Sequence, residues 1–192
     1  MRGDIQKILI SQDQIARRVR ELAVQITADH AAPPIQGAGQ ITIVPILTGA
    51  MLFCADLIRH LPMRMRISLL AVSSYPGPST QPQQLQVLFR EVEDLQQQHV
   101  LIIDDILDSG STLRLVQGML AKLGPASLKT CVLLRKNTAG AQQTRVDYVG
   151  FDIPDEFVVG YGLDYDDYYR NLPDVGTLKP EVIAARVKEA TR

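Results

Sequence analysis

VLIIDDILDSGSTL, residues 100–113, is the stretch that decides the fold. It opens with four apolar β-formers, a pattern typical of a short strand buried on both faces of a parallel sheet. Two adjacent carboxylates stand where this strand should end, and a small polar loop follows them. An amphipathic run over 113–123 then stops at Gly124 and Pro125, where a helix should end. The order strand, polar loop, helix predicts one unit of an α/β fold.

The polar loop has the composition of a phosphate site. Small hydroxyl residues and a glycine at a helix N-terminus present unpaired N–H groups, and the helix dipole favours an anion there. Carboxylates beside such a site repel a phosphate unless the ligand also brings hydroxyl groups or a cation, and a ribose phosphate with Mg²⁺ brings both. The loop residues are Ser109, Gly110, Ser111 and Thr112, and the carboxylates are Asp104, Asp105 and Asp108. The stretch lacks the Gly-Lys-Ser/Thr ending of a Walker A loop. The alternative is an ordinary strand–loop–helix with a capped helix N-terminus.

Length and composition are those of one globular domain, which we expect to cover residues 1–192. The formal charge is −1 and no long basic run is present, so we expect no nucleic-acid partner. Cys54 and Cys131 lie in apolar segments and predict buried thiols in a reducing cytoplasm. The first ten residues lack the apolar core of a signal peptide. Residues 41–58 are mostly apolar, but Pro45, Gly49 and Asp56 interrupt them, so we expect no membrane span.

Predicted strands alternate with predicted helices along the chain. This order indicates a doubly wound, mostly parallel sheet flanked by helices, with ligands at the carboxyl ends of its strands. Strands are predicted over 41–47, 65–73, 85–89, 128–134, 146–151 and 157–161. A helix is predicted over 51–61, with Met51, Cys54, Ala55 and Ile58 on its buried side. The turn-rich run YPGPSTQPQQ (75–84) predicts a long loop, which should form a small hood together with the segment from Phe151 onward.

Two segments resemble one family of enzymes. The stretch 100–113 closely resembles the phosphoribosyl pyrophosphate motif of type I phosphoribosyltransferases. VDYVGFDIPDEFVVGYGLDYDDYYRNLP (146–173) is similar to the purine end of hypoxanthine-guanine phosphoribosyltransferases, and the likeness extends over about 5–182. The resemblance implies the type I phosphoribosyltransferase fold and a Mg²⁺-dependent salvage reaction in the cytoplasm. Hypoxanthine or guanine and phosphoribosyl pyrophosphate would give IMP or GMP and pyrophosphate, catalysed by a homodimer or homotetramer.

The resemblance also assigns the residues that bind phosphoribosyl pyrophosphate. It places Asp104 and Asp105 at the ribose hydroxyls or their metal, and residues 109–112 at the 5′-phosphate. Thr48 and Gly49 match the pyrophosphate loop, where the family often has a cis peptide before the middle residue. Many relatives carry Lys or Arg at the position of Thr48, so this chain lacks one cation there, and Arg170 should contact the pyrophosphate.

Ser74 and Tyr75 match the Ser-Tyr pair of the family's mobile loop. In the family this loop closes over the reacting centre and excludes water. Pro76, Pro78 and Pro82 depart from the usual pattern of the loop.

At the base end, the resemblance implies two kinds of contact. Asp108 should face N7 of the purine as the general base, and Lys136 should donate to the 6-oxo group, which adenine lacks. Phe157 should stack on the base and the Val158 backbone should bond its edge. The alternative for both residues is core packing, because FVV is typical of a strand, and for Phe157 the ligand role is favoured. Asp164 should help to hold a metal at the purine side.

Two other functions remain open at this stage. A regulatory protein on the same fold could sense a nucleotide or phosphoribosyl pyrophosphate and control transcription or RNA. Such proteins usually carry an added DNA-binding domain or a basic face, which this sequence does not show. A related enzyme could instead use xanthine or a pyrimidine as the acceptor, although the purine-like segment disfavours the pyrimidine.

Overall fold

A computed structural model of the chain describes residues 1–31, 40–75, 84–90 and 95–190. Two sheets and five α-helices make up this part, after a short 3₁₀ turn at Arg2–Asp4. The strands are β1 (Ile5–Ile10), β2 (Gln40–Leu47), β3 (Arg64–Ile67), β4 (Leu70–Tyr75), β5 (Gln84–Arg90), β6 (His99–Leu107), β7 (Ser127–Lys136), β8 (Tyr148–Ile153), β9 (Val158–Val159) and β10 (Val175–Leu178). The helices are α1 (Gln12–Ala31), α2 (Met51–Ile58), α3 (Ser111–Ala121), α4 (Ala139–Gln143) and α5 (Pro180–Ala190).

The main sheet is mostly parallel and has the order β5-β4-β2-β6-β7-β8, with β3 also pairing with β2. Only the β4–β5 pair is antiparallel among the pairs described in this sheet. One hydrophobic core lies between the sheet and α1 and α2, and a second contains the apolar face of α3. Helices therefore cover both faces, which confirms the predicted doubly wound α/β fold. It also explains why β6 has four apolar residues in a row after His99, all fully buried.

A smaller antiparallel sheet of three strands, β1-β10-β9, forms the hood. The prediction placed the hood from Phe151 onward, but β8 extends to Ile153 as part of the main sheet. It also missed β1, whose partner β10 lies more than 160 residues later in the chain. The other predicted part of the hood, the loop after Tyr75, falls at 76–83, outside the described residues.

Two predicted elements differ from those observed. The single strand predicted over 65–73 is two strands, because β3 and β4 pair with different parts of β2 and Ser68 N–H donates to Ile43 O (2.9 Å) between them. Helix α2 ends at Ile58, and its buried side was predicted only in part: Cys54 is buried and Ile58 is partly buried, but Ala55 is exposed. Met51 is 49% exposed. The buried stripe begins one residue earlier and consists of Ala50, Phe53, Cys54 and Leu57, with the spacing i, i+3, i+4, i+7.

The predicted buried thiols are confirmed: Cys54 and Cys131 are both free and buried. Burial raises the pKa of the Cys54 thiol to about 11. Among the helices of the described ranges, none combines the length and the apolar character that a membrane span needs.

Two histidines are buried together at the opposite edge of the main sheet from the carboxyl ends of its strands. Their rings, on His30 and His99, make an edge-to-face contact with centroids 6.3 Å apart. Each Nδ1 has a partner, Ile26 O or Ser127 Oγ, both at 2.8 Å. Neither Nε2 has a protein partner within the described residues. Burial lowers the pKa of His30, against the opposing hydrogen bond to Ile26 O.

This environment predicts a pH-dependent stability. Below pH about 6.5 the unfolded chain takes up a proton on His30 that the folded state resists, so acid should favour unfolding. The free energy of unfolding should fall by at most about 1.4 kcal/mol per pH unit for this one proton. His30→Asn should reduce the fall measured by urea unfolding between pH 6.5 and 5. The exposed His60, changed to Asn, is the matched control; equal slopes in the two variants would contradict the prediction.

Candidate active site

The predicted site residues lie at the carboxyl ends of neighbouring strands of the main sheet. Thr48 follows β2, Asp108 follows β6, and Lys136 is the last residue of β7. The prediction ended the central strand before Asp104, but β6 continues to Leu107 and therefore includes Asp104 and Asp105. Both carboxylates are thus fixed to the sheet instead of standing on a loop.

The loop between β6 and α3 leaves a helix N-terminus open to a ligand. The N-cap is Gly110, in the left-handed conformation (φ 75°), and it has no side chain to cap the helix. Ser109 Oγ accepts from Ser111 N–H (3.3 Å). The loop is held from outside: Thr138 Oγ1 donates to Asp108 O (2.6 Å), and Gly140 packs against Ser109 O so closely that a Cβ would lie 2.3 Å away. The N-cap residue thus supplies no side-chain cap of the ordinary kind, and phosphate binding by this loop stays a prediction. The loop offers free N–H groups of the kind that bind phosphate.

Asp104 and Asp105 are carboxylates held in the interior of the sheet. Asp104 is 6% exposed and Asp105 is half-buried. Burial, and secondly the adjacent charge of Asp105, raise the pKa of Asp104 well above its usual range. Burial also raises the pKa of Asp105, against its hydrogen bond from Ile106 N–H (2.8 Å). Within the described residues, no lysine or arginine forms an ion pair with either carboxylate.

Two glycines let the turn after β2 fit between these carboxylates and the hood. A Cβ on Gly49 would lie 1.9 Å from Asp105 Oδ2, and a Cβ on Gly162 would lie 2.2 Å from Gly49 O. The peptide bond between Leu47 and Thr48 is cis, as the resemblance implied. The predicted pyrophosphate turn therefore contacts Asp105 on one side and the segment after β9 on the other.

Arg170 connects that segment to the remaining predicted residues. Its Nη1 donates to Gly162 O (2.8 Å), and its Nη2 pairs with Asp164 (2.8 Å) and Asp167 (3.1 Å). The second oxygen of Asp164 accepts from Asp167 N–H (2.9 Å). Asp164 therefore faces Arg170. No metal-binding group of three or more His, Cys, Asp or Glu occurs in the described ranges, so Asp104, Asp105 and Asp164 are not gathered into one.

Lys136 and Asp108 form an ion pair at the base end. Lys136 Nζ lies 2.8 Å from Asp108 Oδ2 and 3.1 Å from Asp155 Oδ1, and the lysine side chain is only 10% exposed. Burial acts to lower the pKa of Lys136, but the hydrogen bonds to the two carboxylates outweigh it and the net direction is upward. The site thus holds a largely buried ammonium beside the predicted general base.

The two residues that the prediction left between base contact and core differ in burial. The ring of Phe157 is 50% exposed and makes an edge-to-face contact with Tyr165, at 5.4 Å between centroids. Val158 is buried in β9. Half of the Phe157 ring therefore remains exposed, whereas the Val158 side chain belongs to the core.

Ser74 and Tyr75 are the last residues of β4, and their backbones pair with Leu85 and Gln84 of β5. The proline-containing loop beyond them falls outside the described residues. Their role in closure stays a prediction.

Asp155 and Gly162 are the contacts that the sequence analysis missed. Asp155 follows Pro154 directly after the end of β8, beside the strand that ends in Lys136, and this position could have suggested it. Gly162 is one of two glycines close together after β9, but nothing in the sequence indicates that it contacts Gly49.

Comparisons with known proteins agree with this geometry. The model of the phosphoribosyl transferase domain matches residues 6–166. The hypoxanthine-guanine phosphoribosyltransferase of Mycobacterium tuberculosis is 41% identical over 181 residues, covering 94% of this chain and 89% of the relative. A hypoxanthine phosphoribosyltransferase structure from Staphylococcus aureus has a TM-score of 0.85 at 38% identity, covering 95% of this chain and 96% of that one. A point mutant of the Trypanosoma cruzi hypoxanthine phosphoribosyltransferase, complexed with the product IMP, has a TM-score of 0.86 at 37% identity, covering 95% of each chain. This chain belongs to the phosphoribosyl transferase domain family.

Proposed function

We propose that this chain is a purine-salvage enzyme, a hypoxanthine-guanine phosphoribosyltransferase. It transfers the ribose 5-phosphate group of phosphoribosyl pyrophosphate to N9 of hypoxanthine or guanine, which gives IMP or GMP and pyrophosphate. The observation that carries the proposal is the pairing of Asp108, in the loop after β6, with the buried ammonium of Lys136 at the end of β7. One end of the site suits a sugar phosphate and the other suits a purine with a 6-oxo group.

At the sugar end, the chain binds and orients phosphoribosyl pyrophosphate. The uncapped start of α3 and the hydroxyl groups of Ser109, Ser111 and Thr112 hold the 5′-phosphate. Asp104 and Asp105 accept hydrogen bonds from the ribose hydroxyls. The backbone of Thr48 and Gly49 and the guanidinium of Arg170 hold the pyrophosphate, and Arg170 exchanges its bonds to Asp164 and Asp167 for bonds to phosphate oxygens. Holding the sugar in this way supplies proximity and orientation.

At the base end, the chain selects the base and manages one proton. Lys136 donates to the 6-oxo group, Phe157 stacks on the ring and the Val158 backbone bonds its edge. The C1′–O bond to pyrophosphate breaks with its electron pair, the N9–C1′ bond forms, and the base gives up one proton. Asp108 accepts a hydrogen bond from N7–H and takes that proton as the new bond forms.

Mg²⁺ is the proposed cofactor, and the donor set at Asp104 and Asp105 fits it. The two carboxylates are oxygen ligands without a cationic side-chain partner in the described part of the chain, and Mg²⁺ commonly takes one or two carboxylates together with substrate oxygens. Asp164 is already engaged with Arg170, so its part in metal binding would require this ion pair to open. When bound, the metal neutralises charge on the departing pyrophosphate.

Three further features of the proposal come from the sequence analysis. We infer a cytoplasmic location, which the free, buried thiols of Cys54 and Cys131 support. We also infer one phosphoribosyltransferase domain over residues 1–192 and a homodimer or homotetramer. The partners are the small-molecule substrates, with no nucleic acid or membrane partner.

A panel of acceptor bases tests the proposed function. We expect nucleotide product, identified by mass, with hypoxanthine or guanine in the presence of phosphoribosyl pyrophosphate and Mg²⁺, and its loss when EDTA removes the metal. Xanthine and uracil in separate reactions test the alternative enzymes. No product from any base would favour the regulatory protein, and full activity in EDTA would contradict the metal requirement alone.

Asp108→Asn tests the general base. The amide still accepts a hydrogen bond but takes no proton, so kcat should fall by about 10²–10⁴-fold. Binding of phosphoribosyl pyrophosphate, measured by calorimetry, should change much less. Equal losses in turnover and in sugar-substrate binding would reject the assignment of Asp108 as the base.

Gly49→Ala tests the close contact at the pyrophosphate turn. The new Cβ would force Asp105 to move, and a displacement of about 1 Å at a reacting centre can lower kcat/KM by about 10²-fold. Gly118→Ala, on the exposed face of α3 with nothing within 4 Å of the added atom, is the matched control. It should keep full activity and gain about 0.5–1 kcal/mol of stability. Wild-type kcat/KM in Gly49→Ala would show that this contact does not shape the site.

A further inference from the structure

Lys136 is held by two carboxylates, and the proposed mechanism uses only one of them. Asp108 Oδ2 lies 2.8 Å from the ammonium nitrogen and Asp155 Oδ1 lies 3.1 Å from it. The lysine side chain is 10% exposed, whereas the side chains of Asp108 and Asp155 are 51% and 62% exposed. The ammonium is therefore the buried member of a three-residue group whose two anions come from different loops.

The segment that carries Asp155 is well fixed. Lys136 is in parallel register with Ile153, the last residue of β8, and Asn137 N–H donates to Ile153 O (3.0 Å). The ring of Pro154 fixes its own φ angle directly after β8, and Glu156 N–H donates to Pro154 O (2.8 Å). The Asp155 carboxylate is thus held beside Lys136 by the ends of two paired strands.

The two carboxylates have different fates when a purine binds. Asp108 must turn toward N7 of the base, so its hydrogen bond to Lys136 weakens or breaks. Lysine is a point charge on a flexible chain of four methylene groups, and losing one of two partners leaves its direction poorly defined. Asp155 has no role in the proton transfer, so it can keep its bond while Lys136 turns toward the 6-oxo group.

The same segment continues into the predicted base-stacking residue. Phe157 is two residues after Asp155 and exposes half of its ring. The Lys136–Asp155 ion pair therefore joins the donor for the base edge, on β7, to the segment that carries the stacking ring. The Lys136–Asp155 ion pair thus links the two side chains proposed to recognise the base, Lys136 and Phe157.

We propose that Asp155 is a positioning residue for base recognition, which keeps Lys136 aligned with the 6-oxo group after Asp108 has turned to the purine. This inference rests on the proposed function and assigns a part of its specificity to a carboxylate that does not touch the reacting atoms. The hydrogen bond to Asp155 also favours the ammonium form of Lys136, which is a pure hydrogen-bond donor and suits a 6-oxo acceptor and not a 6-amino group.

Asp155→Asn tests this role by separating base recognition from sugar binding. KM for hypoxanthine should rise about tenfold, the loss expected for a charged partner in a half-exposed pair, while the Kd for phosphoribosyl pyrophosphate stays unchanged. The alkaline limb of kcat/KM should move to lower pH, because Lys136 loses a group that stabilises its charge. Inhibition by unsubstituted purine, which has no 6-oxygen, should not change.

Asp152→Asn is the matched control. Asp152 lies on β8, three residues before Asp155, and pairs with Arg135 at 2.6 and 3.1 Å, so the substitution removes the same charge from a different cation. It should leave KM for hypoxanthine and the pH profile as they are in the unchanged chain. Asp155→Glu should recover part of the hypoxanthine KM, because a carboxylate is restored.

Several outcomes would overturn the proposal. A wild-type KM and pH profile in Asp155→Asn would do so, and so would equal shifts in the Asp152 and Asp155 variants, which would indicate a general charge effect. Parallel losses for hypoxanthine, unsubstituted purine and phosphoribosyl pyrophosphate would show a structural role instead. If the unchanged chain makes no nucleotide from hypoxanthine in the same assay, the proposed function itself fails, and the role given to Asp155 fails with it.

Discussion

Two adjacent carboxylates inside the main sheet are the constraint on which the sugar end of the site depends. Desolvation makes ionised carboxylates costly, and Asp104 and Asp105 have no cationic side-chain partner in the described residues. The backbone packs closely around them instead. The turn after β2 passes beside Asp105 only because Gly49 has no side chain, and Gly162 lets the next segment approach that turn. In the proposed function, a ligand that brings hydroxyl groups and a cation supplies the partners that these carboxylates lack.

At the base end, the buried charge has the opposite sign. There the buried group is a cation, Lys136, and its two anionic partners are half-exposed. An ammonium with two carboxylates is satisfied without a ligand, so this end costs less to keep empty. Its partners are also easily exchanged, because water can solvate a half-exposed carboxylate when its bond to lysine opens. Burial of carboxylates thus characterises the sugar end, and ion pairs that a ligand can replace characterise the base end. Asp108 takes part in both ends, because it follows β6 and pairs with Lys136.

The parts that could be predicted from the sequence are those set by local patterns. The apolar run at 100–103 is typical of a strand buried on both faces of a sheet. The small polar loop before an amphipathic run indicates where α3 begins. Pairing partners are not local. The division of 64–75 into two strands depends on which part of β2 each strand meets, and β1 gains its place from β10. Similarly, the contact of Asp155 with Lys136 depends on the register between β7 and β8, which no spacing along the chain reveals.

The phosphate loop and the base end are joined by short contacts that do not involve the ligand. Thr138, just beyond the end of β7, donates to the carbonyl of Asp108, and Gly140 packs on Ser109. The proposed 5′-phosphate loop is therefore attached to the segment that follows the strand ending in Lys136. Because both halves of the site are fixed to one rigid sheet, the distance between sugar and base is set before either binds. The folded protein therefore already fixes the relative positions of the two substrates. This lowers the entropy cost of bringing them together, which is a main source of rate enhancement for a reaction between two small molecules.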